Sequence, residues 1–206
     1  GDMSQNQVMK RMLTRISRIP VRPQEVLIPK SMTWRDDGSV RVRKRKKRFS
    51  KALGWRKAIK ACEMLIENKL RTEEEESFFR LSCHPTMTIN VPGIISILQG
   101  WDRDGWVPDI ICLDYCDILA PIGTTKDRLD QINQNWAALR ALAQSRHCLV
   151  VTATQANAAS YKAITQDASN FSGNKLKMAH LAGLVGLNQT PEEKANQIMR
   201  LNWLQL

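Results

Sequence analysis

The chain has 206 residues, 43% of them apolar, and a formal net charge of +11. That length suffices for one sizeable core, and the apolar content is ordinary for a globular protein. No apolar run reaches the length of a membrane span, and no signal peptide is visible.

The charge is uneven. Residues 1–71 carry 20 Lys and Arg against 6 Asp and Glu, whereas residues 72–206 carry 11 against 14. An excess of this size on one part of a chain points to an anionic partner, with nucleic acid the usual candidate. The five cysteines (62, 83, 112, 116 and 148) are scattered and mostly sit in apolar segments, as reduced thiols of a cytosolic protein do. Cys112 and Cys116 with His147 lack zinc-site spacing. Gly1-Asp2 at one end, and Leu206 inside an apolar run at the other, read as cut ends.

In chain order, Ser4 followed by Gln7 is a capping-box pattern. Val8, Met9, Met12, Leu13, Ile16 and Ile19 recur at helical spacing, which predicts a helix from about Gln5 to Arg18, ended by Pro20. Lys10, Arg11, Arg15 and Arg18 read as its solvated face, and Asp2 as a second acid beside its N-terminus. Met32 to Trp34 and Val40 to Val42 flank Asp36-Asp37-Gly38, a hairpin signal. The second strand runs into Arg41, Arg43, Lys44, Arg45, Lys46, Lys47 and Arg48, seven basic residues in eight. Such a density self-repels unless it meets phosphates, which makes these residues candidate DNA contacts in preference to a merely solvated arm. Trp34, Phe49 and Trp55 flank them and are either stacking platforms for bases or local core.

Helices are predicted over Ser50–Asn68, from Pro92 over Ile94, Ile95, Ile97 and Leu98, and over Lys126–Ser145. Strands are predicted at Phe78–Cys83, Thr86–Asn90, Cys148–Thr152, Leu184–Leu187 and Ile198–Leu206. Residues 158–174 are small and polar and read as a mobile loop. Lys175, Lys177 and His180 follow it.

The stretch Pro108–Leu119, PDIICLDYCDIL, has the character of a central strand buried on both faces and ended by Asp114. In open α/β sheets ligands bind beyond such strand ends, and in nucleotide hydrolases a carboxylate there holds magnesium. A strand that merely ends in Asp, the residue opening a loop, has the same pattern. Gln155, just past the next predicted strand, is either a phosphate sensor or an ordinary loop amide. Strand–helix–strand alternation with short connections predicts an α/β fold with a parallel sheet.

Four blocks together resemble the motor domain of DnaB-type replicative helicases, in the divergent form of phages and mobile elements. They are Asp2-Met3-Ser4 with the following helix, Ile111–Leu119 as a Walker B strand with Asp-Tyr, Val150–Asn157 ending in Thr-Gln-Ala-Asn, and Ser172–Thr190. The resemblance implies a RecA-like, mainly parallel sheet flanked by helices, truncated at both ends. Residues 1–206 are then a partial ATPase domain, with residues 31–71 as a basic β-hairpin/helix insertion and residues 158–174 as a DNA-contacting loop. It implies ATP and Mg2+ as cofactors, with Asp114 on the metal, Asp2 in the place of the general base and Gln155 as sensor. Asp replaces the family's usual Glu at position 2 and has a shorter reach. Lys175 and Lys177 are implied to meet phosphate, of DNA or of a neighbour's nucleotide.

The implied partners are single-stranded or forked DNA and further copies in a hexameric ring, in the cytoplasm of a bacterial or phage-infected cell. The sequence departs from the family by containing no Gly-x-x-x-x-Gly-Lys-Ser/Thr, so that the phosphate cradle is expected to precede residue 1. A DNA-dependent ATPase that does not unwind, and a DNA-binding module without catalysis, are the alternatives.

Overall fold

A computed structural model describes residues 4–36, 40–69, 79–157, 165–167 and 175–205. The chain divides into two units, Met3–Cys83 and His84–Leu206.

In the first unit, helix α1 (Gln5–Ser17) starts where the sequence predicts. Gln7 Oε1 accepts the Ser4 backbone N–H at 2.8 Å, satisfying a donor that the helix itself leaves open. Arg18 ends the helix in a left-handed conformation (φ 54°), and Pro20 follows. Strands β1 (Gln24–Trp34) and β2 (Val40–Phe49) pair in antiparallel register and are far longer than the predicted Met32–Trp34 and Val40–Val42. Helix α2 (Trp55–Lys69) lies against α1. The Leu53 N–H donates to the Pro20 carbonyl at 2.9 Å, joining the two ends of the hairpin. Among the described residues of this unit, only Pro20 and Ala58 are buried. The hairpin is therefore a surface feature on a thin base.

The second unit holds the main core. Asn90 caps helix α3 (Val91–Arg103) by accepting the Gly93 N–H at 3.0 Å. Helix α4 (Arg128–Arg146) is capped by Asp127 and ends at His147, whose φ of 51° is left-handed. Strands β3 (Ile110–Leu113) and β4 (Leu149–Thr152) pair in parallel, Ile110 with Leu149 through Leu113 with Thr152. Val91, Ile94 and Leu98 of α3, Ile111 of β3, Cys116, and Trp136, Leu139 and Leu142 of α4 form one apolar cluster. A fork of two hydrogen bonds, 3.0 and 2.7 Å, joins Arg146 of α4 to Asp102 of α3. Strand β5 (Leu184–Asn188), helix α5 (Pro191–Ala195) and strand β6 (Arg200–Gln205) follow, with β5 and β6 antiparallel.

This arrangement corrects the expected fold class. The described residues form three separate two-stranded sheets, two antiparallel and one parallel, rather than a RecA-like, mainly parallel sheet flanked by helices. Three local outcomes account for the difference. The described part of the predicted strand Phe78–Cys83 is irregular, and Thr86–Asn90 is a turn and helix cap, with Met87 at φ 62° and Thr88 N–H on the Pro85 carbonyl. Those segments supply no neighbours for β3. The short α5 connection brings β6 back onto β5, which pairs them with each other instead of with the parallel pair. Finally, among the described residues the helices cover only one face of β3–β4. Ile111 is 8% exposed, whereas Ile110 and Leu149 are each 57% exposed, so β3 is not buried on both faces.

Candidate functional site

The C-terminal ends of β3 and β4 bring together most of the polar side chains singled out in the second unit. The two strands run parallel and in step, so Leu113 and Thr152 end side by side. The Thr152 hydroxyl donates to the Leu113 carbonyl at 3.1 Å and accepts the Cys116 backbone N–H at 3.0 Å. One side chain of β4 thereby pins both ends of the Asp114-Tyr115 segment. The bond between Asp114 and Tyr115 is a cis peptide. Gln155, beyond β4, donates from Nε2 to the Tyr115 hydroxyl at 3.2 Å. Asp114 and Gln155, chosen from the sequence as metal ligand and sensor, thus sit on adjoining strand ends, with Tyr115 between them.

The two aspartates of this loop differ. Asp117 is committed. Its Oδ1 accepts the Trp136 indole N–H and the Lys177 ammonium, each at 3.1 Å, and its Oδ2 accepts the Thr154 hydroxyl at 2.5 Å. Asp114 is exposed, and its carboxylate makes no hydrogen bond or ion pair among the described residues. A carboxylate open to solvent at a strand end can take a hydrated magnesium ion, which needs only one or two carboxylates beside phosphate and water. Among the described residues no three His, Cys, Asp or Glu side chains cluster to hold a metal by themselves.

Lys177 is 2% exposed, with its ammonium also 5.7 Å from the centre of the Trp136 ring. It sits in a turn of 3-10 helix, Lys175–His180, which Arg140 of α4 holds by donating to the Ala179 carbonyl at 3.1 Å. Burial, with the negative Asp117 next door, pushes the Cys116 thiol up to about 12, and Lys177 opposes the shift only in part. That sulfur stays protonated and unreactive at neutral pH.

The sequence places Trp136 on the apolar stripe of its helix, with Leu129 and Ile132, and gives no role to Asp117, Thr152 or Thr154. Two signals were present. A tryptophan on the buried stripe of α4 needs a partner for its N–H, and a second Asp three residues after Asp114 is one of the few acceptors nearby in sequence order. Asp2 lies outside the described residues, as do positions 158–164 and 168–174 of the expected DNA-contacting loop and the side chain of Lys175.

In the other unit, the basic run occupies the whole length of β2. Arg41, Arg43, Arg45, Lys46, Lys47 and Arg48 are exposed and Lys44 is half-buried. Lys46 pairs with Glu25 at 3.3 Å, and the Lys47 ammonium lies 4.7 Å from the centre of the Phe49 ring. An ion pair this exposed contributes little to stability. Trp34 and Trp55 are each 69% exposed, so neither is local core.

Compared with known proteins, the chain matches no family model and no curated protein. No helix among the described residues is long and apolar enough to cross a membrane.

Proposed function

We propose that this chain is part of an ATP-driven DNA helicase motor of the DnaB type, which couples ATP hydrolysis to movement along DNA and its unwinding in replication. The observation that carries the reading is the pairing of β3 with β4, which sets an uncommitted carboxylate, Asp114, beside an amide, Gln155, on adjoining parallel strand ends. The reading rests on this site and on the four sequence blocks, not on the sheet as a whole. Asp114 holds Mg2+, directly or through water, and Gln155 registers the loss of the terminal phosphate and passes it through Tyr115 to the β3 loop. Asp2 orients the attacking water. Magnesium, when bound with ATP, neutralises charge that gathers on the phosphates. The motor acts as a cytoplasmic hexameric ring on single-stranded or forked DNA.

The test uses the full-length protein that carries this chain. DNA-stimulated ATP hydrolysis and strand displacement from a fork are expected, and Asp114→Asn should abolish both. Hydrolysis that ignores DNA, or that survives Asp114→Asn, would sink the reading. Stimulated hydrolysis without strand displacement would assign a DNA-dependent ATPase that does not unwind.

A second reading, a DNA-binding module without catalysis, is favoured by the exposed basic strand β2. It requires salt-sensitive binding by this chain alone. Replacing Arg43, Lys44, Arg45 and Lys46 by Ala should flatten the dependence of log affinity on log salt. An unchanged slope excludes this strand as the contact.

A further inference from the structure

The β1–β2 hairpin has two unlike faces. Residues directly paired across an antiparallel ladder share a face, and side chains alternate along each strand. One face carries Arg41, Arg43, Arg45 and Lys47, opposite Thr33, Ser31, Ile28 and Val26. The other carries Trp34 opposite Val40, Met32 opposite Val42, and Leu27 opposite Lys46, with Lys44 and Arg48 on the same side. The register breaks between Pro29 and Ser31. That one-residue irregularity switches the parity of β1, so Leu27 falls on the face of Met32 and Trp34 rather than on the opposite one.

The consequence is that one side sets four cations beside the half-buried Ile28, Val26 and Phe49, while the other sets exposed apolar groups among Lys44, Lys46 and Arg48. Trp34, Met32 and Leu27 are 69%, 58% and 42% exposed. Large apolar groups left open on a strand face are a liability unless something covers them. The surrounding charge narrows the occupant. It must be an anion, and it must offer flat apolar groups at intervals between its charges. Single-stranded nucleic acid does so, because its unpaired bases are free to stack while its phosphates follow the cations. Duplex DNA keeps its base faces stacked inside and offers only phosphates and base edges, on which Trp34 cannot stack.

We propose that the face bearing Trp34 and Met32 binds unpaired bases of single-stranded DNA, with Trp34 as the stacking platform, while Lys44, Lys46 and Arg48 of the same face hold its phosphates. The proposal rests on the reading of the hairpin as a DNA contact and adds the face that meets the bases and the residue that stacks on them. Trp34 packs in no core, so Trp34→Ala leaves the fold intact, and a thermal melt checks that it does.

Binding of the whole chain is measured by fluorescence anisotropy on a labelled thymidine oligonucleotide and on an abasic oligomer of equal length, which keeps sugars and phosphates but lacks bases. Trp34→Ala should weaken binding to the thymidine strand about 10-fold and leave the abasic oligomer unaffected, and Trp34→Tyr should restore most of the loss. The triple variant Lys44→Ala, Lys46→Ala, Arg48→Ala should weaken both ligands and flatten the salt slope by about 2. If Trp34→Ala changes neither affinity, or lowers both equally, base stacking is overturned, while a flattened slope in the triple variant keeps the DNA reading. If the unaltered chain binds neither oligomer, both readings fail. If Trp34→Ala instead abolishes sedimentation with phosphatidylserine vesicles and leaves the thymidine strand bound as before, the face belongs to a lipid surface and the proposal is overturned.

Discussion

The Lys177 ammonium lies 3.1 Å from Asp117 Oδ1, with the two side chains 3% and 16% exposed. This ion pair joins the 3-10 turn at Lys175–His180 to the loop after β3, and Thr154 and Trp136 complete the shell of the carboxylate. It lies beside the candidate site without being its reactive part. Asp114, three residues away, makes no such pair among the described residues. Burying two charges is tolerated only when each satisfies the other and neighbouring dipoles fill the remaining hydrogen-bonding positions. Those conditions are met here, and the price is dependence of each residue on its partner.

Lys177→Met should therefore destabilise the second unit by about 3–5 kcal/mol, because it leaves Asp117 buried without a cation. Urea unfolding followed by tryptophan fluorescence measures it. Adding Asp117→Asn to Lys177→Met should recover part of the loss, since the orphaned charge is then gone. Simple addition of the two single losses would show that the residues are not coupled.

The Cys116 thiol, raised to about 12, should resist alkylation at pH 8.5 in the folded chain, whereas Cys83 and Cys112 are exposed and should label. Mass spectrometry of peptides after maleimide treatment reads this directly. The sign of the linked stability follows. The folded thiol holds its proton to higher pH than the unfolded one, so its contribution is complete below about 8.5 and is lost as pH climbs toward about 12. Cys116→Ala should shed that part of the alkaline decline, whatever its own packing loss.

Asp102 and Arg146 set an acid limit. The hydrogen bonds from Arg146 hold the Asp102 carboxyl below its ordinary 3.8, with burial opposing and the arginine's charge assisting. The folded state therefore binds this proton less readily than the unfolded state. The stabilisation is present above pH 3.8 and is lost as pH falls through the lowered value. Asp102→Asn should lower Tm near pH 6 and make Tm fall less between pH 5 and pH 2. An unaltered acid profile would show that the fork between α3 and α4 carries no pH dependence.

Gly186 on β5 faces Asn202 on β6, and a Cβ placed at Gly186 would lie 2.5 Å from Asn202 Oδ1. That oxygen cannot easily move, because it accepts from Asn188, while the Asn202 amide donates to the Gln166 carbonyl at 3.0 Å. Gly186→Ala should cost about 1–3 kcal/mol through this displacement. Gly186→Ala combined with Asn202→Ala should lose less than the sum of the two changes. Strict additivity would mean that the added methyl group does not meet the Asn202 side chain.

The amphipathic spacing of Val8, Met9 and Met12, and of Leu129, Ile132 and Trp136, made α1 and α4 legible in the sequence. Asp-Gly between β-prone runs placed the hairpin, and two short apolar runs located β3 and β4. These signals are local, since helical periodicity, caps and turns are fixed within a few residues. The choice of Asp114 and Gln155 was also local, resting on residues that end apolar strands. Their neighbourhood through Tyr115 depends on the parallel register of β3 with β4, which no local pattern encodes.

Composition, charge division and short-range pattern were thus determined by the sequence alone: a basic first part, an amphipathic second part, and an acid at the end of a buried-type strand. The tertiary structure decided the rest. It paired β5 with β6 instead of extending a parallel sheet, covered one face of β3 rather than two, and turned β1 over at its irregularity so that Trp34, Met32 and Leu27 share a face. It also drew Lys177, read from the sequence as a phosphate contact, into the interior against Asp117. The physical reason is common to all four. Strand partners, covered faces and ion pairs are contacts between residues distant in sequence, settled by which surfaces can be buried together rather than by the residues adjoining each one.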